Sequence, residues 1–273
     1  MKNFLSSVTI LCMMGLTFGL NSCSDDTTTT PTPSADIMPM KTGSHYVYSN
    51  TRLDSLTGNP DLTKVTEDSV VVGTSTTKDG KTAFAFDVYR LNQKLRTDYY
   101  AKEGQTIWGY WQFIPPGITL TDLINTIIPQ SRRWSKFADY SASTEWTIAD
   151  TNITGVSIPF SGINIPTSAV ITMKGKKLTT TSEILNGINY ANTTKFEIAL
   201  SITPTVEFSI PPNPPSKIPL APIVVKQYVW VANNVGIIKE EFPNVDISIS
   251  GLGTPIVYKA DGLRRELLRY TIK

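Results

Sequence analysis

The chain has 2 cysteines and 1 histidine in 273 residues. That scarcity excludes a cysteine/histidine zinc site, a disulfide framework, an iron–sulfur cluster and any mechanism needing two imidazoles. Charge is also sparse. Charged residues make up 18%, and 25 Lys+Arg stand against 23 Asp+Glu, for a formal net charge of +2. Such a balance gives no general pull toward nucleic acid or acidic substrates. Chemical motifs are missing too: no Gly-x-Ser-x-Gly elbow, no His-Glu-x-x-His, no Walker-type phosphate loop and no EF-hand spacing. Gly251-x-Gly253 lacks the third glycine of a dinucleotide site and reads as a loop. Hydrophobic residues make up 40%, enough to bury a core. Strand signals continue on both sides of each Pro-rich break, which favours one domain over two.

The N-terminus carries an export signal. Lys2 is basic, and Phe4 to Leu20 is mostly apolar, with Leu11, Met13, Met14, Leu16 and Phe18. Leu20-Asn21-Ser22-Cys23 follows at once. Charge, apolar run, small residue and processing point are the parts of a secretory signal in their usual order. The run is a little short for a membrane span of roughly 20 apolar residues. It contains Ser, Thr and Gly, and Asp25 and Asp26 follow it instead of a basic flank. Residues 1–22 are therefore expected to be the signal peptide. With Leu20 three positions before Cys23 and Ser22 just before it, the leader resembles a bacterial lipoprotein signal. The resemblance implies that Cys23 is thioether-linked to diacylglycerol, acylated (a palmitate-type modification), and the first residue of the mature chain. Cys12 is lost with the leader, so the mature chain would have no free thiol. Cys23-Ser24-Asp25-Asp26 also resembles the start of Bacteroidota-type lipoproteins, where such acidic residues accompany surface export. The implied location is the outer membrane, lipid-anchored, facing either the cell surface or the periplasm. Residues 23–36, rich in Asp, Thr and Pro, read as an extended tether.

Residues 37–273 read as a β-rich domain. Asp79-Gly80, Asn186-Gly187 and Asp261-Gly262 are the strongest hairpin signals, since each pair suits a turn that needs positive φ. Glu103-Gly104 and Asn233-Asn234 add two more turns. Lys81 to Leu91 alternates, with Phe84, Phe86 and Val88 on one face and Asp87 and Tyr89 on the other. Tyr228, Trp230 and Ala232 share a face opposite Val229 and Val231. Leu263 to Ile272 is expected to pair as a strand across Asp261-Gly262 with Ile256-Val257-Tyr258. Prolines between 204 and 222 mark a loop or an edge, because proline cannot donate to a central ladder. One segment has helical spacing: Leu120, Leu123, Ile124, Ile127 and Ile128 fall on one helix face, before Pro129. The expected fold is mainly β, a single curved, mostly antiparallel sheet or open barrel-like meander with one short amphipathic helix.

Candidate chemistry is thin. His45 opens a strand and has no catalytic motif around it. Glu145, Glu183, Glu207, Glu240 and Glu241 are the acids a glycosidase pair would draw on. Glu240 and Glu241 are adjacent on a strand and so point to opposite faces. The most informative cluster is Ile107-Trp108-Gly109-Tyr110-Trp111-Gln112-Phe113. Trp111 and Phe113 share a face with Ile107, while Trp108 and Tyr110 occupy the other. Large aromatics on both faces mean that something covers the second face, either ordinary core packing or a ligand. Trp108, Tyr110, Trp111 and Phe113 are therefore the candidate ligand-facing residues.

Two further stretches resemble uncharacterised Bacteroidota-type lipoproteins. Met38-Pro39-Met40-Lys41-Thr42-Gly43-Ser44-His45-Tyr46-Val47-Tyr48 is similar to their opening strand, with Tyr46 where Trp is frequent. Tyr228 to Glu241 is similar to their Trp-containing hairpin. The resemblance implies a curved antiparallel sheet and transfers no activity. The function expected is that of a non-enzymatic binding or scaffold domain, lipid-anchored in the cell envelope. The alternative is a carrier or sensor of a hydrophobic ligand, and the third class is a glycan-degrading enzyme. No metal, cofactor or nucleic acid is expected. The expected partners are the membrane, through the anchor, and a hydrophobic ligand or envelope protein.

Overall fold

The computed structural model describes residues 36–111, 132–160, 163–208, 216–249 and 256–273. The chain divides into two units, residues 1–34 and Ala35–Lys273. The signal, Cys23, the expected helix at 120–128 and Phe113 all lie outside the described residues.

The second unit is built from strands, and no helix occurs among its described residues. In chain order they are β1 (His45–Leu53), β2 (Pro60–Lys78), β3 (Lys81–Arg90), β4 (Gln93–Glu103), β5 (Thr106–Trp111) and β6 (Arg133–Asp139). Then come β7 (Trp146–Phe160), β8 (Ile163–Leu185), β9 (Ile188–Phe208), β10 (Ser216–Pro219) and β11 (Ile223–Ala232). The last are β12 (Gly236–Phe242), β13 (Val245–Ile249), β14 (Ile256–Ala260) and β15 (Gly262–Thr271). Thirteen form one antiparallel sheet, ordered β6-β5-β4-β3-β2-β1-β15-β12-β11-β9-β8-β7, with β10 on β9. The first six strands are thus a meander, and β15 returns to sit between β1 and β12.

The sheet curls until its two ends meet. Along this seam the Trp146 Nε1–H donates to Lys136 O at 3.2 Å, and Lys177 Nζ donates to Tyr140 O at 2.8 Å. The result is a nearly closed barrel with one core. Phe86, Tyr100, Trp111 and Phe137 meet edge to face, Phe86–Tyr100 at 4.9 Å and Trp111–Phe137 at 5.1 Å. They merge with Ile171, Met173, Phe196, Leu200, Ile202 and Val229 from the opposite wall. At the end where β1 begins, Met38 is buried as a stopper, and Asp36 O accepts from Asn234 N at 2.6 Å.

The hairpin reading holds at Asp79-Gly80 (φ 42° and 80°) and Asn186-Gly187 (φ 51° and 79°). Both residues of each pair take the positive φ that fits the strands' twist. Leu91-Asn92, with φ 50° and 63°, makes a third such turn that its residue types did not announce. The short runs read from sequence fuse into strands of up to 23 residues. Bulges such as those at Lys177/Thr180 and Thr181/Glu183 let these bend with the barrel.

Two expectations are corrected. Leu263 to Thr271 is a strand, but it does not pair with 256–258. β15 pairs with β1 and β12, while β14 pairs with β13 in a separate two-stranded sheet. Gly262 does not take a positive φ, and Asp261 is held by Arg52 and by Ser55 N. Asp261-Gly262 is therefore a corner between sheets and not a tight turn. The proline segment does hold an edge, since among the described residues β10 with Pro219 pairs only with β9, but Pro204 lies inside β9, which continues to Phe208. The Pro204 carbonyl accepts from Leu220 N at 2.8 Å. The N and O of a residue in an antiparallel strand point the same way. Proline's missing N–H therefore falls on the Leu220 side and takes no bond from the β8 ladder.

Candidate functional site

At the end where β1 stops and β15 starts, the core face turns from apolar to charged. Directly opposed residues in a ladder share a face. Tyr48 faces Leu267 and Asp68, Asn50 faces Arg265 and Thr66, and Glu240 faces Arg265. On the next strands Val88 faces Arg96, and Phe86 faces Asp98. Since Tyr48, Leu267, Phe86 and Val88 are core residues, the charged groups aligned with them point into the barrel.

Of these, Asn50, Asp68, Arg96, Glu240 and Arg265 line a basin of about 380 Å³. Lys64, Arg52, Arg90, Arg96 and Arg265 supply the cations of its wall, and Asp68 and Glu240 the carboxylates. Side-chain exposure falls from 56% at Lys64, through 45% at Arg52, to 14% at Arg265, which marks rim and floor. Leu95, Phe242 and Leu263 add apolar surface.

Ion pairs fix the arginines. Arg90 donates Nε to Asp68 Oδ1 at 2.7 Å and Nη2 to Oδ2 at 3.2 Å, and this pairing holds its guanidinium above its ordinary pKa. Arg96 donates Nε to Asp98 at 3.0 Å. Burial pushes the Asp98 carboxyl above the usual carboxylate range, further than Arg96 draws it down. Arg265 donates Nη1 to Glu240 Oε2 at 2.7 Å and lays its guanidinium 3.8 Å from the centre of the Tyr48 ring. Burial alone would lower the Arg265 pKa; Glu240 and Tyr48 more than reverse this. The Tyr48 hydroxyl donates to Ile237 O at 2.9 Å. The buried Nε of Arg265 has no protein partner.

Of the aromatic residues singled out from sequence, the three described ones, Trp108, Tyr110 and Trp111, do not converge on one surface. Trp111 and Ile107 are buried in the core. Trp108 and Tyr110 are half-buried on the other face, where lysines cap them. Lys81 Nζ sits 4.2 Å from the Trp108 ring centre, and Lys78 Nζ 4.9 Å from that of Tyr110. The Tyr110 hydroxyl donates to Asp79 at 2.5 Å. Cation–π contact thus covers the second face, together with the Trp134 ring 5.3 Å from Tyr110.

The acids weighed for catalysis are scattered. Glu145, Glu183, Glu207, Glu240 and Glu241 pair with Lys174, Lys239, Lys217, Arg265 and Arg264 respectively. Glu240 points inward and Glu241 outward, as strand parity requires, and of the five only Glu240 lines the basin. Among the described residues no group of three or more His, Cys, Asp or Glu side chains is placed to hold a metal ion.

No protein-family model and no curated protein matches the chain. Two solved structures are similar in chain trace. One is a candidate lipoprotein from Parabacteroides distasonis, with 10% identity and a TM-score of 0.43 over 88% of this chain and all of that one. The other is a candidate exported protein with a YmcC-like fold from Bacteroides fragilis, with 11% identity and a TM-score of 0.42 over 87% of this chain and all of that one.

Proposed function

We propose that the protein is a lipid-anchored envelope protein of the outer membrane whose barrel is a non-enzymatic binding domain, with the charged basin as its ligand site. The leader Leu20-Asn21-Ser22-Cys23 supports the anchor. The basin supports binding: a cavity with fixed guanidinium groups and an apolar flank recognises a ligand without needing a nucleophile or a general base. Both carboxylates that line it are occupied by arginines, Asp68 by Arg90 and Glu240 by Arg265, which argues against a pair of acids working on one bond. A carrier of wholly apolar cargo fits this wall less well, because unpaired donors would be buried against hydrocarbon.

The test is mass spectrometry of the full chain purified from envelopes. The expected result is an N-terminal acyl modification at Cys23 together with a retained small molecule. Cys23→Ala should abolish incorporation of labelled palmitate and leave the small molecule in place. Incorporation that survives Cys23→Ala would remove the anchor, and a chain that never retains a ligand would remove the binding reading.

A further inference from the structure

We infer that the basin takes an organic anion: a carboxylate or phosphate group carried on an apolar body. The inference rests on the binding reading above and names its ligand class. The wall presents five cations and only two carboxylates. Asp98, Asp61 and Asp261 pair with Arg96, Lys64 and Arg52 without lining the cavity themselves. What a ligand meets is therefore rich in donors and poor in acceptors.

The donors are also oriented in advance. Asp98 engages Arg96 through Nε, which leaves both terminal nitrogens of that fork to other partners. Glu240 takes Nη1 of Arg265, and the Nε of Arg265 is buried with no acceptor. A guanidinium already pinned along one edge loses little further entropy when its other edge binds. Its planar fork matches the two oxygens of a carboxylate or phosphate. The apolar half of the ligand is set by Leu95, Phe242 and Leu263 beside these groups. A volume of about 380 Å³ lies within the ~300–1,000 Å³ of small-molecule sites and admits no folded partner.

Calorimetric titration of the full chain tests this with octyl phosphate, octanoate, inorganic phosphate, octanol and octyl glucoside. Octyl phosphate and octanoate should bind saturably, about tenfold or more tighter than inorganic phosphate, and octanol should not bind. The paired change Arg96→Gln with Asp98→Asn, which strands no buried charge, should weaken both anions about tenfold or more. Arg52→Gln and Lys64→Gln at the exposed rim keep the fold and should weaken them less. Lys94→Gln, whose lysine pairs with Asp87 away from the basin, should change nothing. Inorganic phosphate binding as tightly as octyl phosphate, or anion affinity unmoved by the Arg96 and Arg52 variants with native circular dichroism, overturns the inference. If only octyl glucoside binds, and does so through Arg96, the anion is wrong and the binding reading stands. If nothing binds and envelope-purified protein holds no ligand, both fall.

Discussion

Trp111 and Trp146 each lay an indole flat over a glycine. A Cβ built on Gly109 would lie 1.9 Å from the Trp111 ring, and one on Gly175 would lie 2.2 Å from the Trp146 ring. Both glycines are in strands, where glycine ordinarily weakens the sheet; here each makes room for the largest side chain. Gly109→Ala and Gly175→Ala should each cost about 1–3 kcal/mol from overpacking, read from the denaturant midpoint. Gly73→Ala, where the nearest side-chain atom is 3.4 Å away, should cost much less. Equal effects at all three would show that the rings move aside freely. The Trp111 position was partly legible, because parity put it with Ile107. The basin was not read, although a signal was present. Asp98 has the parity of Tyr100, Arg265 that of Leu267, and Asn50 that of Tyr48, so charge falls on the same face as core residues. Read strand by strand, such charges look like a solvated edge; only the register of six strands collects them.

At the scale of elements, turns with glycine were readable because glycine or asparagine is nearly required where φ is positive. Leu91-Asn92 was not, since leucine is poorly suited to the φ of 50° it adopts. Leu91→Gly should therefore stabilise the domain by about 1 kcal/mol, and it also removes a leucine that is 92% exposed. A lower thermal midpoint in this variant would mean that Leu91 has a contact partner worth more than the strain. Asp261-Gly262 misled for the complementary reason. The pair is a turn signal by composition, but Arg52 and Ser55 fix Asp261 at a corner, and nothing local to the pair encodes those partners. The order β1-β15-β12 was likewise out of reach, because alternation says which face a strand buries and not which neighbour it takes.

For the whole molecule, burying tyrosines in a charged barrel sets an alkaline limit. Burial, then Asp36 and Tyr270, raise Tyr46 to about 12, and burial pushes Tyr48 and Tyr100 up as well. These groups have folded pKa values above the unfolded value of 10.0, so the native state holds their protons more tightly. Their contribution is fully present below pH 10 and is lost as pH rises through about 12. The urea midpoint should fall across that window. Phenolate absorbance should lag behind that of unfolded chain and then rise together with unfolding. Simultaneous ionisation of all 11 tyrosines near pH 10 in folded protein would contradict the buried placement. Loss of the final strand should be just as severe, since a chain ending at Asp261 leaves both β1 and β12 with a bare edge; it should show no cooperative melt. The β1–β15 ladder joins His45 to Thr271, nearly the two ends of the domain. During synthesis β1 can pair with β2 at once, but its other edge stays bare until β15 has been made. Contacts of such long sequence separation fold slowly, and the barrel cannot close around a half-made chain. An open sheet with one bare edge is therefore the form the domain holds until β15 is made.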